Sequence, residues 1–96
     1  MMTGLNTNRI YIIGAGLTGT SIASEIEKKN IFGKVVAFID DDPEKIGKKI
    51  LNIPVLGPLE TVAEIIKTTP ADEAIIAIPG ATNIQLKRIY GILKRA

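Results

Sequence analysis

Gly14-Ala15-Gly16-Leu17-Thr18-Gly19 has the spacing G-x-G-x-x-G, and the chemistry of that spacing is anion binding. Gly14 permits a tight turn off a preceding strand, and Gly16 lets main chain approach a pyrophosphate with no side chain between. Gly19 allows a helix to pack closely on the strand. The free N–H groups and the dipole at the helix start then form the anion site. Nine glycines in 96 residues make chance matches common, so the weight of the match comes from its context. A strand-like run, Arg9-Ile10-Tyr11-Ile12-Ile13, ends at Gly14, and helical spacing begins at Leu17. Asp40 lies 21 positions after Gly19 and directly follows Ile39, the end of the next apolar run. A carboxylate there accepts from both hydroxyls of an adenosine ribose and repels a 2′-phosphate, so NAD(H) is favoured over NADP(H). CoA or another nucleotide is the alternative, as is a fold of this shape that has lost its ligand. Asp41 joins Asp40 among the candidate contacts.

Three further groups of residues carry weaker signals. Asp40-Asp41-Asp42 precedes Pro43, but no further ligands follow at calcium-loop spacing. Asp42-Pro43-Glu44 therefore reads as a turn or a helix start. Ile78, Pro79 and Gly80 end a later strand on the same sheet edge as the glycine loop, which makes them candidate contacts on the second side of the ligand. They are read equally well as a strand stop and helix entry. Tyr90-Gly91-Ile92-Leu93-Lys94 has the Y-x-x-x-K spacing of short-chain dehydrogenases. No Ser or Thr occupies the expected partner position, and Tyr90 belongs to an apolar stripe, so it reads as a core or interface residue. No catalytic residue is assigned. The chain contains no His and no Cys, which excludes Ser-His triads, thiol nucleophiles and thiolate metal sites.

The elements that must hold these residues follow from periodicity. Strands are expected at 9–13, 34–39 and 74–78, with a short one at 53–56. One helix is expected over 17–30, with Ile22, Ala23 and Ile26 facing inward. A second carries Leu59, Val62, Ala63 and Ile66 and stops at Pro70. A third starts at the N-cap Thr82 and presents Leu86, Ile89, Tyr90 and Leu93. Residues 44–52 read as a polar excursion. The expected fold class is α/β, a Rossmann-like parallel sheet with helices on both faces and right-handed crossovers. Such a topology normally adds a strand after the third helix, so the unit reads as truncated there. Residues 1–8 read as a flexible lead-in and 9–96 as a nucleotide-binding domain, a fragment of a longer protein.

Composition agrees with one ordinary domain: 46% hydrophobic, 23% charged, with Ile occurring 18 times. The net charge is +2. Lys87, Arg88, Lys94 and Arg95 form the one dense basic stretch, and with two Phe and two Tyr in the chain it reads as a solvated helix face. No nucleic-acid contact by this segment is expected. No apolar run approaches the ~20 residues of a membrane span, and residues 1–8 lack the features of a signal peptide. The expected location is cytoplasmic.

Blocks spread along the chain carry a family resemblance. These are Ile12-Ile13-Gly14-Ala15-Gly16, Val36-Ala37-Phe38-Ile39-Asp40-Asp41-Asp42-Pro43, Ile46-Gly47, Ile53-Pro54-Val55-Leu56-Gly57 and Ala74-Ile75-Ile76-Ala77-Ile78-Pro79. In this order they resemble the N-terminal, CoA-binding-like Rossmann domain of bacterial polysaccharide-biosynthesis nucleoside-diphosphate-sugar epimerases/dehydratases. That resemblance implies Gly14, Gly16, Gly19 and Asp40 as nucleotide contacts. It also implies a covalently linked catalytic domain acting on UDP-sugars, and a parent attached to the inner membrane by helices that precede the domain. The glycine loop and the segment Asp42 to Gly47 are similar as well to the NAD(H)-binding domain of Rex-type redox-sensing repressors. Val55-Leu56-Gly57-Pro58-Leu59-Glu60 and the polar Thr82-Asn83 favour the sugar-enzyme family. A homo-oligomer is a further expectation.

Overall fold

The computed structural model describes residues 8–96. The lead-in expected over residues 1–8 lies outside the described residues except for Asn8. The Asn8 side-chain amide donates to the Phe32 carbonyl at 2.8 Å and to Glu73 at 2.7 Å. Five strands form one sheet: β1 (Arg9–Ile13), β2 (Lys34–Ile39), β3 (Lys49–Ile50), β4 (Ile53–Leu56) and β5 (Glu73–Ile76). Their spatial order is β3-β4-β2-β1-β5. β4, β2, β1 and β5 run parallel. Three helices connect or follow them: α1 (Leu17–Lys29), α2 (Val62–Thr68) and α3 (Asn83–Arg95). The architecture is Rossmann-like, with helices on both faces.

Two apolar layers sandwich the sheet. On one side Ala23 and Ile26 of α1 pack with Ile10, Ile12, Val35 and Phe38. On the other, Leu59, Val62 and Ile89 pack with Tyr11, Ile13, Ala37 and Ile39. The central strands β1 and β2 are apolar on both faces because both faces are covered. Their interiors are almost wholly shielded: Ile10, Ile12, Ala37, Phe38 and Ile39 are 0% exposed and Ile13 2%.

Four sequence expectations need correction. The sheet is mixed, because residues 49–50, expected within a polar excursion, form β3 antiparallel to β4. The two strands are joined by Leu51 and Asn52, which have φ of 54° and 64°, the backbone a two-residue hairpin loop needs. The second helix starts later than expected, since Leu59–Thr61 form a 3-10 turn. With three residues per turn there, the inward positions become Leu59, Val62 and the half-buried Ile65, and Ala63 is exposed. β5 ends at Ile76 rather than at residue 78, although the Ala77 N–H still donates to the Ile13 carbonyl at 2.8 Å. Tyr90 is 65% exposed and is not a core residue. Of the expected α3 stripe only Ile89 is buried. β1 is β5's one ladder partner in the sheet, so Tyr90 stands over an uncovered margin in a groove shared with Tyr11, Ile76 and Leu93. Thr82 caps α3 as expected, in a capping box with Gln85.

The far end of the sheet, away from the glycine loop, is clasped by a polar pair. Arg9 donates from Nε and Nη2 to the two oxygens of Asp72, each at 3.0 Å, and its N–H donates to Asp72 at 2.8 Å. The Arg9 side-chain hydrogen bonds lower the Asp72 carboxyl to about 2. Beside it Tyr11 donates its hydroxyl to the Thr69 carbonyl. Partial burial raises the Tyr11 phenol above its ordinary value.

Candidate functional site

The turn from β1 into α1 is built from backbone constraints. Gly14 has φ of 111°, which disfavours any side chain. Its N–H donates to the Ile39 carbonyl at 2.8 Å, tying the turn to the end of β2. A Cβ on Gly19 would lie 1.9 Å from the Gly14 carbonyl oxygen, so helix and loop touch main chain to main chain there. Gly16 differs from both. It is the N-cap of α1 in extended conformation, and a Cβ on it would meet nothing within 4 Å. The space in front of Gly16 is therefore open.

No side chain caps α1, and its first turn contains no acidic residue. The N–H groups of Leu17, Thr18 and Gly19 precede the first intrahelical bond, which Thr20 donates to the Gly16 carbonyl at 2.9 Å. These donors and the positive end of the helix dipole converge on the space that Gly16 leaves free. Leu17 itself is 85% exposed, and Ala15 is buried beneath the loop.

Asp40 follows β2 and is half-buried at the edge of the same space. One carboxylate oxygen accepts from the Ala15 N–H at 2.7 Å and the other from the Asp42 N–H at 2.9 Å. The acid thus clasps the glycine loop. Each oxygen keeps a second lone pair for a ligand hydroxyl. Asp41 is exposed and accepts from the Leu59 N–H at 2.8 Å. Asp42 accepts from the Glu44 N–H at 2.9 Å, which makes 42–44 a turn.

The sheet brings these residues to one place. A cleft of about 290 Å³ lies at the carboxyl ends of β1, β2 and β5. Gly14 and Gly16 line one side, Asp40 and Asp41 another, and Ile78 and Pro79 a third. Ala15, Leu17, Thr18 and Gly19 belong to the loop and helix start behind the lining; Gly80 follows Pro79 in the turn before α3. Seven lining residues were not among the sequence candidates: Ile13, Ile39, Lys45, Leu59, Ala77, Arg88 and Ile89. Lys45 Nζ lies 3.5 Å from the Ala15 carbonyl. Leu59 and Ile89 carried apolar periodicity, which marks them as buried without showing that they reach the cleft. Arg88 was read as part of a solvated face. Tyr90 and Lys94 lie away from this cleft, in the groove beside β5. The site offers hydrogen-bond donors for an anion, acceptors for hydroxyls and apolar walls, which are the components of nucleotide binding.

Residues 6–87 match the CoA binding domain family. The chain belongs to that family. This CoA-binding-type domain is 34% identical over 85 residues to a probable polysaccharide biosynthesis protein, EpsC, of Bacillus subtilis, covering 88% of this chain and 14% of that protein. It is also 34% identical over 70 residues to the redox-sensing transcriptional repressor Rex of Desulforamulus reducens, covering 73% of this chain and 33% of that one. The chain therefore spans well under half of these two relatives. Among solved structures it resembles UDP-D-quinovosamine 4-dehydrogenase from Vibrio fischeri, with TM-score 0.80, 27% identity and coverage of 93% and 71%. It also resembles a Rex-family repressor, RSP, solved with NADH, with TM-score 0.75, 28% identity and coverage of 94% and 42%. The same repressor was solved with NAD+ and operator DNA. Among the described residues no helix is long and apolar enough to cross a membrane.

Proposed function

We propose that this domain is the NAD(H)-binding module of a nucleoside-diphosphate-sugar epimerase/dehydratase of surface polysaccharide synthesis. It binds the dinucleotide and leaves catalysis to a domain covalently linked to it in the parent protein. The observation that carries the nucleotide reading is the uncapped start of α1 beside open space at Gly16, clasped by Asp40. The likeness to EpsC across most of the chain supports the sugar-enzyme assignment. In this reading the Leu17, Thr18 and Gly19 N–H groups at the start of α1 take the nearer phosphate of the pyrophosphate, above the turn that Gly14, Ala15 and Gly16 build. Asp40, with Asp41 beside it, receives the ribose hydroxyls. Ile78 and Pro79 form the opposite wall. The parent is cytoplasmic, attached to the inner membrane by helices outside this segment.

Binding assays separate the candidates. Saturating NAD+ or NADH stabilises the domain by about 2.7 kcal/mol at 100 times Kd, and Asp40→Ala abolishes most of that gain. A stabilisation by CoA that exceeds both replaces NAD(H) with the CoA alternative. No thermal shift with NAD+, NADH, CoA or UDP-sugars refutes the nucleotide reading.

The Rex relatives favour a second reading, a module that senses NADH against NAD+. A clear preference for NADH supports it, and equal affinities exclude it. The Rex-family complex with operator DNA also leaves the expected lack of nucleic-acid contact by this segment without support. A gel shift of the isolated domain on mixed-sequence duplex tests that expectation directly.

A further inference from the structure

Arg88 stands on α3, on the wall of the cleft that also holds Pro79 and Ile89, and shares that cleft with Gly14 and Gly16. Its Nη2 is held by Glu60 at 2.5 Å. Glu60 belongs to the 3-10 turn and lines a different, outer groove together with Arg88 itself, Lys87, Gly91 and Arg95. It is not among the residues lining the cleft. Arg88 thus borders both spaces, and the ion pair holds its guanidinium with Glu60. Both side chains are substantially exposed, at 48% and 69%, and an exposed pair of this kind is weak. A phosphate offers Arg a bidentate, doubly charge-assisted alternative.

We propose that Arg88 is a second anion-binding arm of this cleft, which recognises the second phosphate of a nucleoside diphosphate and which Glu60 holds in reserve. The inference rests on the nucleotide-binding reading. One phosphate suffices to occupy the amides at the start of α1. Released from Glu60, the guanidinium of Arg88, a residue that lines the same cleft, matches a further anionic group on the same ligand. Lys45, the other cation lining the cleft, lies against the Ala15 carbonyl beside Asp40, on the ribose side. Glu60 then acts as an internal competitor: its carboxylate and the ligand's second phosphate exclude each other on Arg88.

Isothermal titration of the 96-residue chain with ADP and with AMP tests this. In Arg88→Gln the affinity for ADP falls about tenfold while that for AMP stays within about twofold, the scale of one lost charge-assisted contact. Glu60→Gln tightens ADP by roughly threefold, and the double variant behaves as Arg88→Gln alone. Both positions are exposed, and circular dichroism confirms that the variants fold. Equal losses of ADP and AMP in Arg88→Gln, or unchanged or weaker ADP binding in Glu60→Gln, overturn the proposal and leave the nucleotide reading standing. Absence of ADP binding by the unsubstituted chain overturns this proposal, and the nucleotide reading falls with it only if NAD+, NADH, CoA and UDP-sugars also fail to bind.

Discussion

Gly19→Ala is the substitution on which the loop geometry makes its sharpest prediction. In an exposed helix interior this change stabilises by about 1 kcal/mol through propensity alone. Here the sign reverses. The new Cβ would lie 1.9 Å from the Gly14 carbonyl oxygen, where ordinary contact begins at 3.4 Å, so helix and loop must separate by about 1.5 Å. Neither can retreat freely. Gly14 is tied to Ile39 and Ala15 to Asp40, while Ala23 and Ile26 hold α1 in the core. Overpacking of this kind costs about 1–3 kcal/mol, and losing one or both loop hydrogen bonds adds about 1 kcal/mol each. Set against the propensity gain, the net destabilisation is about 1–4 kcal/mol. For a domain this small that lowers Tm by roughly 5–30 °C. Gly16→Ala is the paired control. Gly16 has φ of −88° and open space where its Cβ would stand, so stability changes by less than about 1 kcal/mol. Its methyl projects into the proposed phosphate site, and NAD+ affinity falls at least about tenfold. Urea unfolding followed by circular dichroism reads the first effect and calorimetric titration the second. A Gly19→Ala domain as stable as the parent refutes the close-packing argument. A Gly16→Ala domain that loses stability and binding together refutes the division of roles.

Two further outcomes follow from the core and from the far end of the sheet. Phe38→Ala empties a wholly buried position on β2 and costs about 3–5 kcal/mol, measurable as a shift in urea midpoint at unchanged slope. The Asp72 carboxyl, held at about 2 by Arg9, lies below the ~3.9 of an unfolded chain. Its stabilisation is therefore fully present above the unfolded value and is lost as pH falls toward 2. Asp72→Asn lowers Tm near neutral pH and flattens the acid limb of the Tm-against-pH curve; an unchanged acid limb rules the pair out as its source.

Much of the site could be read before folding because its signals are local. The run from Arg9 to Gly19 encodes a strand, a turn and a helix start within eleven consecutive residues, and Asp40 follows a second strand at once. The residues that were misread all depended on what lies beside them. β3 escaped notice because its hairpin loop is Leu51-Asn52 rather than a glycine-containing pair. Tyr90 has apolar helical spacing, yet its face of α3 extends past the last strand and stays in solvent. Arg88 is exposed, as a solvated basic face implies, but its ion pair with Glu60, 28 positions away, has no signal in local spacing.

By itself the sequence determined the alternation of strands and helices, the glycine turn and the acid after β2. Each is a matter of residue type within a few positions, where propensity and φ restrictions act. Only the tertiary structure decided that Asp40 clasps the loop through the Ala15 N–H, that Gly19 meets Gly14 main chain to main chain, and that Arg88 reaches the cleft. Those relations join elements separated in sequence, and the register and packing of the sheet bring them within contact distance.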